Sequence, residues 1–236
     1  MSAALQARAA ATLPVGPEVD ARPADRPGPV TLEGRFGRVE RLDRGRHAAS
    51  LWEAVRGHDA IWTYISAYGP FADGARFADW IESRVRLDDP YSYAIVDPAG
   101  RALGMAALME IRPAMRVIEV GHIVYSPPLQ RTPLATDAQY LLARYAIETL
   151  RYRRYEWKCN SLNAPSRHAA LRFGFVFEGV LRQHMIAKGR NRDTAYYSIL
   201  DGEWPRCRAA FERWLVPENF DSGRQRRRLE EIRNAL

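Results

Sequence analysis

The most chemically suggestive stretch of the chain is a short polar loop that follows an apolar, strand-like segment and precedes an amphipathic one. It runs from Gln130 to Thr136 and contains Arg131. The first backbone N–H groups of a helix have no partner within the helix and carry a partial positive charge. Such a helix start can bind phosphate, and the arginine adds a mobile positive charge. The alternative is a plain strand-to-helix connection, and these residues alone barely favour the phosphate site over it.

The same loop resembles the acetyl-CoA segment of the GNAT superfamily of N-acetyltransferases, whose pattern is Gln/Arg-x-x-Gly-x-Gly/Ala at the start of a helix. Gln130 matches the first position and Ala135 the last, but Pro133 stands where the pattern has its middle glycine. Proline has no N–H and fixes φ at about −65°, so one phosphate donor is absent and the loop is stiffer. The resemblance implies a cofactor loop formed by Gln130, Arg131, Thr132, Leu134, Ala135 and Thr136.

A downstream segment is similar to the branch of that superfamily related to the RimJ/RimL-type ribosomal-protein acetyltransferases. The pattern Asn-x-x-Ser, Gly-Phe, Glu-Gly is met by Asn163, Ser166, Gly174-Phe175 and Glu178-Gly179. Both segments occur in the right order and spacing, and the resemblance covers about residues 32–200. It implies an N-acetyltransferase that uses acetyl-CoA as co-substrate. A primary amine, either a protein amino terminus or a small amine, would attack the thioester directly.

The resemblance also implies how the pantetheine arm is bound. In the superfamily, the strand before the loop splays from its parallel neighbour and pairs with the arm through its backbone, as an added strand would. The matching backbone positions are Ile123, Val124 and Tyr125, and the neighbouring strand is expected over residues 155–160. Asn163 would contact the cofactor near pantetheine, although an asparagine here is equally suited to cap the following helix.

Transfer of an acetyl group to an amine needs a base, a polarised carbonyl and a donor to the leaving thiolate. Glu119, on the strand leading to the loop, is the candidate base, and His122 is the alternative. Their spacing predicts opposite faces of a regular strand, and each could instead be purely structural. Superfamily members often use a tyrosine as acid, but the matching position is Ala170, so Ser166 is the candidate donor.

The acceptor site is expected between the first two helices and the last hairpin. That part of the chain is rich in aromatic side chains, although aromatic residues at helical spacing usually belong to a core. The sequence does not identify the acceptor. The aromatic residues are Trp62, Tyr64, Tyr68, Phe71 and Trp80.

Periodicity and turn residues predict the elements that hold these groups. They give one strand, two helices, three strands, a helix, a strand, a helix and two strands, which is a mixed α+β fold with a mostly antiparallel central sheet. The three middle strands should form an antiparallel meander, because their connections are short. Asp43 is predicted to cap the first helix and Thr136 the third. The predicted helices cover about residues 44–56, 74–87, 136–150 and 164–173, and the middle strands cover 91–96, 102–111 and 117–125.

The overall composition is that of a globular protein and excludes several other classes of protein. The 236 residues are 47% hydrophobic and 27% charged, which excludes a wholly disordered, collagen-like or coiled-coil chain. No apolar run is long enough to span a membrane, no Cys/His spacing predicts a metal site, and a cytoplasmic monomer or homodimer is expected. We predict a disordered leader over residues 1–29, the catalytic domain over 30–202 and a helical extension over 203–236.

Two other functions compete with the enzyme. The net charge of +7 and the arginine-rich run at 224–228 are compatible with nucleic-acid binding, but no helix-turn-helix, RRM or zinc pattern accompanies them. A solvated tail explains the run more simply. The substitution at Pro133 and the missing tyrosine at Ala170 also leave open a non-catalytic acyl-CoA-binding or regulatory module.

Overall fold

The computed structural model describes residues 13–236, which build an eight-stranded sheet with helices on both faces. The strands are β1 Thr31–Glu33, β2 Arg38–Arg41, β3 Tyr91–Val96, β4 Ala102–Arg112, β5 Val117–Tyr125, β6 Arg154–Asn160, β7 Val176–Ala187 and β8 Arg190–Leu200, with a small separate hairpin of β9 Phe220–Asp221 and β10 Arg224–Gln225. The helices are α1 Arg44–Val55, α2 Gly74–Val85, α3 Pro133–Arg144, α4 Ala164–Phe173, α5 Trp204–Trp214 and α6 Leu229–Asn234.

The predicted fold class is confirmed by the strand order β1-β2-β3-β4-β5-β6-β8-β7, in which only β5 and β6 pair in parallel. The predicted meander is β3-β4-β5, whose short connections leave no room for a crossover. The single strand expected before α1 is instead a hairpin of β1 and β2.

The two faces of the sheet have separate cores, because side chains alternate along each strand. On one face, α1 and α2 pack through residues such as Leu51 and Phe77 against Met105 of β4 and Val124 of β5. On the other face, α3 to α6 cover a larger core that includes Tyr155 of β6. The half of the first face formed by β6, β8 and β7 is not covered by α1 or α2, and it carries the polar groups described below.

The cap of α3 lies four residues earlier than expected. Thr132 is the N-cap, and its hydroxyl accepts from the backbone N–H of Ala135 at 3.2 Å. Pro133 therefore occupies the first helical position, where the missing N–H removes no helical hydrogen bond. The prediction that Thr136 caps this helix is wrong. The predicted cap of α4 is confirmed, since Asn163 Oδ1 accepts from the N–H of Ser166 at 3.2 Å.

Part of the expected leader is fixed to the body of the protein. The N–H of Ala24 donates to the carbonyl of Pro113, that of Asp25 to Leu150, and that of Gly28 to the hydroxyl of Tyr145. Ala24 is also buried. The prediction of disorder is therefore corrected for residues 20–28, and its first part, residues 1–12, lies outside the described residues.

The segment after β8 packs on the second face. Leu229 and Ile232 of α6 are buried, and the Arg233 guanidinium donates to the carbonyls of Leu171 and Arg172 at the end of α4. These contacts satisfy helix carbonyls that have no partner within α4. Over residues 13–236, no helix is long and apolar enough to cross a membrane.

Candidate active site

A wedge opens in the sheet between its two parallel strands. Residues Val117–Val120 of β5 pair with Arg154–Trp157 of β6, and the pairing stops there. Beyond that point β5 remains paired with β4, and β6 remains paired with β8. The facing edges of β5 and β6 therefore diverge. The backbone groups on these edges are thus available to an extended ligand, as an added strand would use them. The splayed pair implied by the resemblance is present in the structure.

A β-bulge at His122 shapes the mouth of the wedge. Gly121 pairs with Ala107 of β4 and Val124 with Met105, so β5 has one extra residue here. His122 has φ of 48°, in the left-handed region. A bulge of this kind bends the strand and redirects its side chains.

The bulge places His122 and Glu119 on the same face of the sheet. Glu119 lies opposite Met109, and a side chain at Gly121 would meet both of them. The ring of His122 lies 5.5 Å from that of Tyr68, which belongs to the core under α1 and α2. The prediction of opposite faces, made from regular alternation, is wrong because the extra residue breaks the alternation.

Glu119 is suited to proton transfer near neutral pH. Only 5% of its surface is exposed, and burial raises its pKa to about 7 even though Lys158 Nζ lies 2.9 Å from Oε2. A carboxyl group with this pKa is ionised in part at neutral pH and still accepts a proton effectively. Burial lowers the pKa of His122 to about 4, so its imidazole is neutral at pH 7 and a weak base.

A second buried carboxylate, Glu156, lies beside the same lysine but is held in its charged form. Lys158 Nζ is 3.2 Å from it, Arg112 Nη2 is 2.6 Å away and Arg154 Nε is 2.7 Å away. Burial opposes ionisation, but the hydrogen bond from Arg154 and the nearby positive charges keep the pKa of Glu156 below its usual range. The two carboxylates therefore differ in ionisation, and Glu119 is the one whose pKa lies near neutral pH.

The loop before α3 and the first turn of that helix leave three backbone N–H groups free for an anion. Thr132 N donates to the carbonyl of Leu129, and Ala135 N to the Thr132 hydroxyl. The N–H groups of Arg131, Leu134 and Thr136 have no hydrogen-bond partner in the described part of the chain. These three donors, with the exposed Arg131 side chain, fit a diphosphate at the start of α3.

Other residues of the loop have structural contacts. Gln130 Nε2 donates to the carbonyl of Tyr125 at 2.8 Å, which ties the loop to the end of β5. The hydroxyl of buried Thr136 accepts from Arg172 Nη1 at 3.0 Å. The charge of Arg172 therefore lies behind the first turn of α3, where it adds to the field that favours an anion. Sequence reasoning missed Arg172, because only the packing of α4 against α3 shows this contact.

Pro133→Ala tests how much the missing loop donor matters. The variant restores an N–H at the first position of α3 without adding the freedom of glycine. Since Arg131 and Leu134 already supply donors, we expect the KM for acetyl-CoA to fall by no more than about threefold. Steady-state kinetics with varied acetyl-CoA measure this, and a much larger fall in KM would show that Pro133 impairs the loop.

Tyr125 links the wedge to α3. Its buried hydroxyl donates to the carbonyl of Ala135 at 3.1 Å and accepts from Gln139 Nε2 at 2.8 Å. Burial raises the pKa of this hydroxyl above its usual value, so it stays protonated and keeps both bonds. The backbone of Ile123 and Val124 runs beside the wedge, just before this anchor.

Tyr125→Phe should lower the free energy of unfolding by about 1–2 kcal/mol, because it removes the acceptor of the Gln139 side-chain amide and the second donor to the Ala135 carbonyl. The midpoint of urea denaturation should fall with an unchanged m-value. Tyr64→Phe is the matched control, since the Tyr64 side chain is more exposed and has no hydrogen bond in the described structure. Equal stability of the two variants would contradict the anchoring role.

The start of α4 presents two polar groups near the open end of β6. Trp157 Nε1 donates to Ser166 Oγ at 3.0 Å, which leaves the serine hydrogen free to donate elsewhere. The side-chain oxygen of Asn163 caps the helix, and its amide group donates to no other described residue. Burial raises the pKa of the nearby Cys159 thiol, and the Ser166 hydroxyl partly offsets this. Ala170 is fully buried and offers no acid.

The last hairpin reaches the connection between the first two helices. Lys188 Nζ, at the turn between β7 and β8, donates to the carbonyls of Trp62 at 2.9 Å and Gly69 at 2.8 Å. This contact brings together the two parts of the chain from which the acceptor site is expected.

Comparisons with known proteins agree with this geometry. The acetyltransferase (GNAT) domain family matches residues 39–176. The crystal structure of a GCN5-related N-acetyltransferase from Brucella melitensis is 45% identical, with a TM-score of 0.88 over 90% of this chain and 98% of that chain. YdaF of Bacillus subtilis (strain 168), named as a candidate ribosomal N-acetyltransferase, is 27% identical over 146 residues, which are 61% of this chain and 78% of that protein.

One more distant structure shows the same fold with a ligand. RimL, a ribosomal L7/L12 α-N-protein acetyltransferase solved in complex with coenzyme A, is 18% identical, with a TM-score of 0.62 over 72% of this chain and 98% of that chain. At this identity the likeness concerns the fold alone. The wedge, the bulge and the loop with free N–H groups are therefore found in a chain whose fold and family are both established by comparison.

Proposed function

Since this chain belongs to the GNAT acetyltransferase family and uses acetyl-CoA, we propose that it acetylates a primary amine, either a protein amino terminus or a small amine, by direct attack of the amine on the thioester. The observation that carries the proposal is the position of Glu119. Its buried carboxyl, with a raised pKa, lies on the strand that forms one side of the wedge and directly before the bulge.

The residues on both sides of the wedge fit the cofactor. When bound, acetyl-CoA supplies the acetyl group as an activated thioester. The N–H groups of Arg131, Leu134 and Thr136 and the Arg131 side chain would hold the diphosphate. The backbone of Ile123, Val124 and Tyr125 would pair with the pantetheine arm, and the free amide group of Asn163 would contact it from the other side. Gln130, Thr132 and Ala135 would shape the loop.

Two side chains would handle the protons. Glu119 takes the proton that the incoming ammonium must lose before its nitrogen becomes a nucleophile. Ser166 donates a hydrogen bond to the sulfur on which negative charge develops. Lys158 keeps the Glu119 carboxylate hydrogen-bonded at 2.9 Å, which fixes its orientation.

A protein amino terminus is favoured as acceptor by the name of the B. subtilis relative. An α-amine, with a pKa of about 7.7–8.0, would need less help from a base than a lysine with a pKa of about 10.4.

The experiment is a panel of amines incubated with acetyl-CoA, in which free thiol release is measured. Peptides with free amino termini are compared with the same peptides acetylated beforehand, and small amines form a separate group. Release with a free amine above the amine-free background supports the proposal. Binding of acetyl-CoA without release for any amine would favour the non-catalytic module that Pro133 and Ala170 left open.

A further inference from the structure

Buried polar atoms without partners cluster around His122. Nine buried side-chain nitrogen or oxygen atoms lack a hydrogen-bond partner among the described residues. Four of them belong to this region: Tyr68 Oη, Trp80 Nε1, His122 Nδ1 and Arg192 Nε. The rings of Tyr68 and Trp80 are 4.6 Å apart, and that of Tyr68 is 5.5 Å from His122. Buried polar groups are normally paired, so a cluster of unpaired ones indicates a ligand.

The chemistry of these atoms specifies what the ligand offers. The tyrosine hydroxyl, the indole N–H and the arginine N–H are all donors, and a neutral histidine can donate through one ring nitrogen. A ligand that satisfies them must present several acceptor oxygens. A carboxylate or another oxyanion does so, while an amine or a hydrocarbon does not.

The charges around His122 point the same way. The Arg84 guanidinium lies 5.9 Å from the centre of the Tyr68 ring, and its only side-chain hydrogen bond within residues 13–236 is to Ser83. Arg84 and Arg192 both act on His122 electrostatically, and neither forms an ion pair with a described carboxylate. The one acidic group that acts on His122 is Asp89, which accepts from the backbone N–H of Ile111 at 2.9 Å.

Other arginines on this face of the sheet, the face that carries Glu119, do have acidic partners. Arg112 and Arg154 each form a close ion pair with Glu156. A partly buried arginine without a counterion is costly, and the cost is removed when a ligand supplies the negative charge. The bulge turns His122, on which the two arginines without a described ion pair act, to the face of the sheet that carries Glu119, three positions earlier on β5.

On the basis of the proposed function, we propose that the acetyl acceptor carries a carboxylate a few bonds from its amine, and that Arg84, Arg192 and the Tyr68 hydroxyl bind this carboxylate while the amine faces Glu119. A small amino acid has this chemistry, and so does a peptide whose first residue is acidic. The shared requirement is an oxyanion close to the amine.

Matched pairs of acceptors test the proposal and show whether the carboxylate belongs to a small amino acid or to a peptide with an acidic first residue. One pair is a peptide that begins with glutamate and the same peptide beginning with glutamine. The other pair is a free amino acid and its carboxamide. We expect the protein to prefer the acidic member of at least one pair by about tenfold or more in kcat/KM, which is a modest value for a charge-assisted contact. The pair that shows the preference identifies the acceptor as a peptide or as a free amino acid.

The variants Arg84→Gln and Arg192→Gln should each reduce this preference ratio by about fivefold or more, since each removes one charged donor. Arg192→Lys keeps the charge and should retain part of the preference. Arg190→Gln is the control, because Arg190 is exposed at the start of β8 and forms no ion pair with the described residues. Its activity and preference ratio should not change. Circular dichroism spectra verify that the variants fold.

The outcomes distinguish this inference from the proposed function. If neutral amines are acetylated as well as acidic ones, or if Arg192→Gln keeps the full preference, the anionic site is refuted while the enzyme activity stands. If neither pair is acetylated while another amine of the wider panel is, the anionic site is refuted and the enzyme activity stands; if no amine of the panel is acetylated, both proposals fail.

Discussion

Glu119→Gln is expected to lower kcat/KM at pH 7 by about 10²- to 10³-fold, within the range found for loss of a positioned general base. The amide is nearly isosteric with the carboxyl and can still accept a hydrogen bond from Lys158, which lies 2.9 Å away. It cannot accept the proton of an ammonium group. Initial rates of thiol release with a good acceptor amine measure the effect.

The pH dependence of that loss identifies its cause. Below the Glu119 pKa of about 7, the wild-type carboxyl is protonated and has no advantage over the amide, so the ratio of the two rates should fall as the pH is lowered. Well above the pKa of an α-amine, about 7.7–8.0, the acceptor is already neutral and a base helps less. The ratio should therefore be largest between these limits and smaller at about pH 9. A ratio independent of pH would remove Glu119 from this role.

Two further variants separate proton transfer from local damage. Glu119→Asp keeps a carboxyl group, so it should be slower than the wild type but retain the pH dependence. Glu33→Gln changes an exposed glutamate of β1, remote from the wedge, and should leave all rates unchanged. If Glu119→Asp lost the pH dependence together with the activity, the effect would reflect misplacement of the ion pair and not a missing base.

Local sequence signals predicted the elements of the fold because their causes are local. Asp43 and Asn163 cap their helices through hydrogen bonds that span three residues. The short connections of the meander leave one way for the strands to pair. The start of α3 also had such a signal. A proline favours the first helical position, so Pro133 should have pointed to Thr132 and not to Thr136 as the cap.

The site depended on causes that no local pattern contains. The bulge at His122 shows only in the register of β5 against β4. It places the histidine on the same face of the sheet as Glu119, whereas regular alternation predicts the opposite face. Glu119 has a raised pKa because its neighbours bury it almost completely, whereas a strand glutamate met in a sequence suggests a solvated side chain. Its partner Lys158 comes from β6, close to the point where the parallel pairing ends.

The packing of the Ala- and Pro-rich segment was also unpredictable from its composition. Its low apolar periodicity suggests disorder, yet backbone hydrogen bonds from Ala24 and Asp25 to distant carbonyls hold it in place. These hydrogen bonds join main-chain groups, which every residue type has, so the pattern of side chains does not predict them.

Ser166→Ala is expected to lower kcat by about tenfold, with little change in the KM for acetyl-CoA. The effect should be smaller than that of a true general acid, because a serine hydroxyl is a weak acid that stabilises charge by hydrogen bonding. The capping bond of α4 uses the backbone N–H of Ser166, which alanine keeps, so the helix should be retained. The lost contact is the one from Trp157 Nε1, 3.0 Å from the hydroxyl oxygen.

Ser166→Thr restores the hydroxyl and should recover most of the kcat, while Ser161→Ala removes a nearby serine hydroxyl that has no hydrogen bond in the described structure and should have no effect. A structural role for Ser166 would instead reduce the free energy of unfolding and leave kcat per folded molecule unchanged. Stopped-flow detection of the released thiol, together with thermal denaturation of each variant, separates the two roles. Since Ala170 leaves no acid at the position of the superfamily tyrosine, an unchanged kcat would mean that the sulfur takes its proton from solvent.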